Sequence, residues 1–175
     1  MLPGLEGPPV WILDTSALVS FKELISVAVQ WEAFKQLEQL VDTGRIAMPR
    51  QVIKEVSEIA HPDLPGAWAP GVRSRLHYPL DVEYQYLQVV MREAGDVVDA
   101  SKATEEADPY VVAQALHFRS QGINSIVVTD DQVDRLPIRI ALTTACARLG
   151  VSCVDSRAFL ASCDIQVRHG DNEGR

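Results

Sequence analysis

The sequence predicts an α/β fold of three layers, with a central, mainly parallel sheet between helices. Three features point there. Residues 10–13 (V-W-I-L) and 126–128 (I-V-V) are short, uninterrupted apolar runs, as suits strands buried on both faces. Each run leads into carboxylates, Asp14 in the first case and Asp130 and Asp131 in the second. Stretches of helical periodicity lie between them, and strands that alternate with helices build parallel sheets.

Residues 1–9 hold Gly and Pro, lack the basic and apolar segments of a secretion leader, and read as a tail. The first strand delivers Asp14, Thr15 and Ser16 to its carboxyl end, where the ligand crevices of open α/β sheets lie. Residues 17–29 have no clear period. From 30 to 42, Trp31, Phe34, Leu37, Leu40 and Val41 fall at helical spacing, and Gly44 follows as a C-cap glycine. Residues 45–48 (R-I-A-M) form a second strand, and 49–60 a helix with Val52, Val56, Ile59 and Ala60 on one face. In that helix Glu55 lies about 40° from Ile59 and borders the apolar stripe, whereas Glu58 points well away.

Residues 61–79 carry four prolines and two glycines and predict a loop or lid. Their Arg73, Arg75 and His77, with Trp68 and Tyr78 and the upstream Arg50, have the chemistry to pair with or stack on a nucleic-acid strand. Arginines in such a loop equally pair with neighbouring acids. A helix follows over 81–93, with Asp81 as N-cap and Gly95 past its end, and then an acidic connector, 96–105. Asp108-Pro109 is a helix start, since Pro is tolerated at the first helical position and Asp accepts from the next free amides. That helix runs to about Gln121, where Gly122 stops it, and the strand 126–128 ends in Thr129-Asp130-Asp131. A helix over 139–149 closed by Gly150, a strand at 152–154 and a helix over 156–163 complete a single domain, 10–163, before a polar tail, 164–175.

No apolar run approaches the roughly 20 residues of a membrane span, so a cytoplasmic protein without membrane contact is expected. Cys146, Cys153 and Cys163 form no metal-type pair and read as small, reduced core residues. A net charge of -8 disfavours phosphate binding unless acids are gathered into a metal site, solubility being the plain alternative.

A parallel sheet can gather acids from four places: Asp14, Glu55, Asp108, and Asp130 or Asp131. Carboxylates packed together repel and need a cation. Mg²⁺ or Mn²⁺ suits oxygen ligands and keeps waters, one of which can attack a phosphodiester. No His or Cys joins these acids, which disfavours zinc.

L-D-T-S-A-L at 13–18, a Glu on the helix after the second strand, A-D-P-Y-V-V-A-Q-A at 107–115 and V-V-T-D-D at 127–131 resemble, in that order, the PIN domain. The likeness spans about residues 10–160 and is nearest the branch that includes toxin ribonucleases of bacterial and archaeal toxin–antitoxin pairs. It implies a sheet of four or five parallel strands and a Mg²⁺- or Mn²⁺-dependent endoribonuclease acting on single-stranded or structured RNA. It also implies Asp14, Glu55, Asp108 and Asp131 as catalytic acids and Asp14, Asp108 and Asp131 as metal ligands. Asp130 competes with Asp131 for the fourth acid, and Thr15, Ser16 and Thr129 support the cluster. An antitoxin is the implied partner and a homodimer a candidate assembly. Residues 61–105 are longer than the matching section of the shortest PIN toxins. The alternative is a PIN-like module that has lost catalysis and serves in binding or scaffolding, against which the four filled acidic positions argue. A haloacid dehalogenase would need a second Asp where Ser16 stands, a receiver domain an acidic pair near the first strand, and a metal-binding adhesion domain a Ser at Leu18.

Overall fold

The computed structural model describes residues 7–59 and 63–167. Strand β1 (Val10–Leu13) is buried at all four positions because it has a neighbour on each side and helices above and below. It pairs in parallel with β2 (Ile46–Ala47), placing Trp11 beside Ile46, and with β3 (Ser125–Val128), placing Trp11 beside Ile126. Strand β4 (Cys153–Val154) pairs in parallel with β3, Val127 beside Cys153. Among the described residues the sheet therefore has four strands, all parallel, in the order β2-β1-β3-β4.

Eight α-helices are described: α1 (Thr15–Leu24), α2 (Val27–Asp42), α3 (Arg50–Ile59), α4 (Leu64–Val72), α5 (Tyr84–Ala94), α6 (Asp108–Ser120), α7 (Leu142–Arg148) and α8 (Ser156–Ser162). Helices α1, α3, α4 and α8 pack as one group and α5, α6 and α7 as another, giving the three layers expected. The first group closes on an aromatic cluster. The Phe159 ring lies 5.2 Å from that of Trp11 and 5.7 Å from that of Phe21, joining α8 to β1 and α1. Helix α6 is buried along most of its length, as a helix covered on both sides must be.

Several sequence expectations are corrected. Residues 17–29, read as aperiodic, are largely helical, with Ala17, Leu18 and Phe21 inward. Trp31, placed on the buried stripe of α2, is 69% exposed. It lies about 105° from the centre of the face made by Ala33, Phe34, Leu37 and Val41. Residues 61–79 are not a bare loop, since α4 and a 3₁₀ turn (Arg73–Arg75) occupy most of the described part. Pro65 stands in the first turn, where no N–H is needed, and Pro70 merely lacks one donor; Pro65, Trp68, Ala69 and Val72 are buried at helical spacing. Trp68 and Tyr78 are therefore not free to stack on a strand: Trp68 is 6% exposed and packs on Phe34, and Tyr78 packs on Phe118.

Helix α5 begins at Tyr84 with Glu83 before it, because Asp81 is held by Arg50 instead of capping. Helix α7 begins at Leu142, not 139, since Asp134 and Asp131 accept from the Ala141 and Leu142 amides. Ile59 is exposed although Val52 and Val56 are buried. Cys146 is buried, Cys153 and Cys163 are half-buried, and all three are free thiols. The core extends past 163, for Ile165 is 4% exposed. Of the two tails and of the segment around His61, residues 1–6, 60–62 and 168–175 lie outside the described residues. Gly44 needs its glycine: φ is +68°, and a Cβ would come within 2.9 Å of the His77 ring. Among the described residues no helix is long and apolar enough to cross a membrane.

Candidate active site at the carboxyl edge of the sheet

In the order β2-β1-β3-β4 the chain leaves β1 towards β2 on one side, while β3 and β4 lie on the other. The crevice between such diverging connections, at the carboxyl ends of the strands, is where α/β sheets bind ligands. Asp14 follows β1 and Thr129-Asp130-Asp131 follows β3, so both acidic segments open into this crevice. A cleft of about 370 Å³ lies there, and Asp14, Glu55, Asp108, Asp130 and Asp131 all line it.

Asp14 is the deepest of them, 2% exposed. Its Oδ2 accepts from the Ser16 hydroxyl at 2.6 Å and the Thr129 hydroxyl at 2.9 Å. Those hydroxyls accept in turn from the Asp130 and Asp131 amides, at 3.0 and 3.1 Å, so two hydroxyls lock the loops after β1 and β3 together. The other oxygen, Oδ1, is buried without a partner, as is the Thr15 hydroxyl beside it in sequence. Burial raises the Asp14 carboxyl above the usual range, the Ser16 and Thr129 hydrogen bonds opposing it.

Asp108 does not cap α6; Ala107 holds that position, and Asp108 in the first turn faces the cleft. Burial, and then the charge of Asp14, push its carboxyl up to about 8 against the opposing pull of Arg139. Glu55 is half-buried and Glu58 exposed, as the helical geometry predicts. Glu55 accepts from the Ala107 amide at 3.1 Å, so α3 supplies the acceptor that α6 lacks at its start. Its carboxyl too is raised, by burial first, with the Asp14 charge adding to it.

The two acids after β3 part company. Asp130 turns to the start of α8, accepting from the Ser156 amide at 2.9 Å and its hydroxyl at 2.6 Å. Asp131 accepts from the Leu142 amide and from Arg139, each at 2.9 Å. The same Arg139 nitrogen, Nη1, donates to Asp108 at 2.9 Å. Arg139 went unremarked in the sequence because nothing local marks it: it meets Asp108 across 31 positions.

The cations named from sequence lie elsewhere. Arg50 pairs with Asp81, and Arg75 with Glu38 and Asp42. Arg73 is exposed on the turn beside Arg75. None of the three lines the acidic cleft, whose own cations are Lys102, Arg135 and Arg139.

Among the described residues no three His, Cys, Asp or Glu side chains stand as a ready-made metal cage. The donor set nonetheless fits a hard cation: oxygens only, three carboxyls raised chiefly by burial, and Asp14 Oδ1 without a partner.

Fold and cleft together define a parallel α/β protein with a carboxylate crevice at its topological switch point. The chain belongs to the family described as Domain of unknown function (DUF4411), whose profile matches residues 11–167. No curated protein matches the chain.

Proposed function

We propose that the chain is a Mg²⁺- or Mn²⁺-dependent endoribonuclease of the PIN-domain kind, cleaving single-stranded or structured RNA. In this reading it is the toxin of a toxin–antitoxin pair, acting in the cytoplasm with a small antitoxin protein as partner. The observation that carries the reading is the buried, unpartnered Oδ1 of Asp14 among carboxyls whose proton affinities are raised. In such a cluster the ionised form of the carboxyls is costly unless a ligand compensates it. Asp14, Asp108 and Asp131 would hold the ion, with Asp130 at the rim. When bound, it supplies an acidified water and charge compensation for a phosphodiester under attack. Ser16 and Thr129 fix the Asp14 carboxylate by its other oxygen. Glu55 lines the same cleft as a half-buried carboxylate able to accept a proton, and the exposed Arg135 can hold a phosphate oxygen.

The test is cleavage of single-stranded RNA by the purified protein with Mg²⁺, Mn²⁺ or EDTA. Within it, Glu55→Gln is expected to lower cleavage and Mn²⁺ affinity about tenfold or more, since a cluster carboxylate of this kind contributes 1.4 kcal/mol or more, and Glu58→Gln to change neither. Equal effects of the two would remove Glu55 from the site.

The placement of the cations gives a second expectation. Replacing Arg135 by Gln should weaken RNA binding and flatten its salt dependence by about one phosphate contact, because Arg135 is exposed in the cleft whereas Lys102 is paired with Glu106. The pair Arg73→Gln and Arg75→Gln should leave the slope nearly unchanged, because neither lines the cleft and Arg75 is already committed to Glu38 and Asp42. The reverse pattern would route the strand over α4.

A catalytically silent binding module is favoured by one observation: Arg139 already occupies the space between Asp108 and Asp131. Absence of measurable Mn²⁺ binding would select that module.

A further inference from the structure

We propose that Arg139 holds the place of the divalent ion in the ion-free protein and is exchanged for it. Loading the ion then releases the guanidinium as a cation for a phosphate at the mouth of the cleft. The inference rests on the nuclease reading for its ion and its phosphate, and on the geometry of Arg139 for the exchange.

One nitrogen makes the whole clasp. Nη1 of Arg139 reaches Asp108 Oδ2 and Asp131 Oδ2 at 2.9 Å each and the Ile140 carbonyl at 3.4 Å. It carries two hydrogens, so three acceptors share two donors. Nε and Nη2 make no hydrogen bond among the described residues. Arg75 shows how this chain builds a permanent arginine pair: its Nε, Nη1 and Nη2 all donate, to Asp42 and Glu38. A guanidinium held by one of its three nitrogens is a looser counter-ion than one held by all three.

What Arg139 holds is what a shared ion would take. Its side chain and those of Asp108 and Asp131 are 13%, 17% and 13% exposed, so the three charges meet out of bulk water. Asp14 and Thr15 line the same cleft, and Asp14 Oδ1 and the Thr15 hydroxyl, both buried and unpartnered, are not satisfied by the arginine. Of the three cations lining the cleft, Arg139 alone hydrogen-bonds any of Asp14, Glu55, Asp108 and Asp131 among the described residues, and it reaches only two of the four. A dication brings twice the charge and can also reach the orphaned oxygens.

The release has a place to lead. The Arg139 backbone is fixed by reciprocal hydrogen bonds with Arg135, at 2.9 and 3.2 Å, so a swing is confined to the side chain. Arg135 is exposed and lines the cleft, and Lys102 there is paired with Glu106, so a freed Arg139 would join Arg135 as a second cation open to a phosphate.

The test compares wild type with Arg139→Gln and Arg139→Met by calorimetric titration with Mn²⁺ at pH 8.5, folding being checked by circular dichroism. Removing the competitor is expected to tighten Mn²⁺ binding by about ten- to a hundredfold, the worth of one or two charge-assisted hydrogen bonds. It should also lower the melting temperature in EDTA, with Mn²⁺ restoring it. In wild type, which needs no variant to fold, the Arg139 guanidinium ¹⁵N signals should be sharp in EDTA and shift or broaden as Mg²⁺ saturates. Unchanged or weaker Mn²⁺ binding in folded variants, or Arg139 signals indifferent to Mg²⁺, overturns the exchange and leaves the nuclease reading standing. Tighter binding in the variants without RNA cleavage by wild type overturns the nuclease reading and upholds the exchange. No Mn²⁺ binding by any of the three proteins overturns both.

Discussion

Asp14→Asn is expected to lower divalent-ion-dependent RNA cleavage by roughly a thousandfold, about 4 kcal/mol of transition-state stabilisation, while the protein keeps its fold. Asparagine retains an oxygen for the Ser16 and Thr129 hydroxyls, so the lock between the loops after β1 and β3 survives. What it loses is the charge, and with it the unpartnered Oδ1 that the proposed ion would use. Removing one of several repelling carboxylates also relieves the cluster, whose Asp108 is raised partly by the Asp14 charge. The ion-free variant should therefore melt at or above the wild-type temperature. Cleavage at the wild-type rate by Asp14→Asn would strike Asp14 from the machinery. A melting temperature well below wild type would assign Asp14 a structural role instead.

The elements that govern this site differ in how far local sequence reveals them. Strands β1 and β3 were legible because burial on both faces leaves an uninterrupted apolar run, and the acid after each marks the strand's end. Glu55 was separable from Glu58 by helical angle alone, although Ile59, the reference for that angle, is itself exposed. Val52, Ile53 and Val56 carry the buried face of α3, and Glu55 lies at its border. Helix α4 was hidden by Pro65 and Pro70, whose usual meaning as breakers outweighed the spacing of Trp68, Ala69 and Val72.

Long-range partners left no local trace. Nothing near Arg50 or Arg75 marks Asp81, Glu38 and Asp42 as their counter-ions, and nothing near Arg139 marks two acids as its own. The choice between Asp130 and Asp131 was open for the same reason. Distant partners separate them: Ser156 at the start of α8 engages Asp130, while Leu142 and Arg139 engage Asp131, the same arginine holding Asp108.

In EDTA the protein is expected to lose stability as pH rises from about 4 to about 8, the reverse of what acids paired on a surface would give. The sign follows from the cleft. Asp108 is raised to about 8, and Asp14 and Glu55 are raised as well, so the folded state binds protons more tightly than the unfolded chain. Stability from that extra proton affinity is complete below the unfolded carboxyl value near 4 and is lost as pH climbs through the folded value. Asp42, Asp81, Asp99 and Asp134, lowered chiefly by hydrogen bonds, act in the opposite sense, but their window lies below about pH 4 and does not overlap. Each unit of pKa difference is worth about 1.4 kcal/mol, and Asp108 alone is displaced by about four units, so a fall in melting temperature of roughly 10–20 °C between pH 4.5 and 8.5 is expected. Asp108→Asn should flatten part of that slope, because it removes one of the three carboxyls raised in the window. Saturating Mn²⁺ should invert the slope, since the ion binds the deprotonated cluster and stabilises the fold most where the carboxyls are ionised. A melting temperature that holds steady or rises across this range in EDTA would mean that the carboxyls are compensated within the chain, and that the cleft has no charge left for an ion.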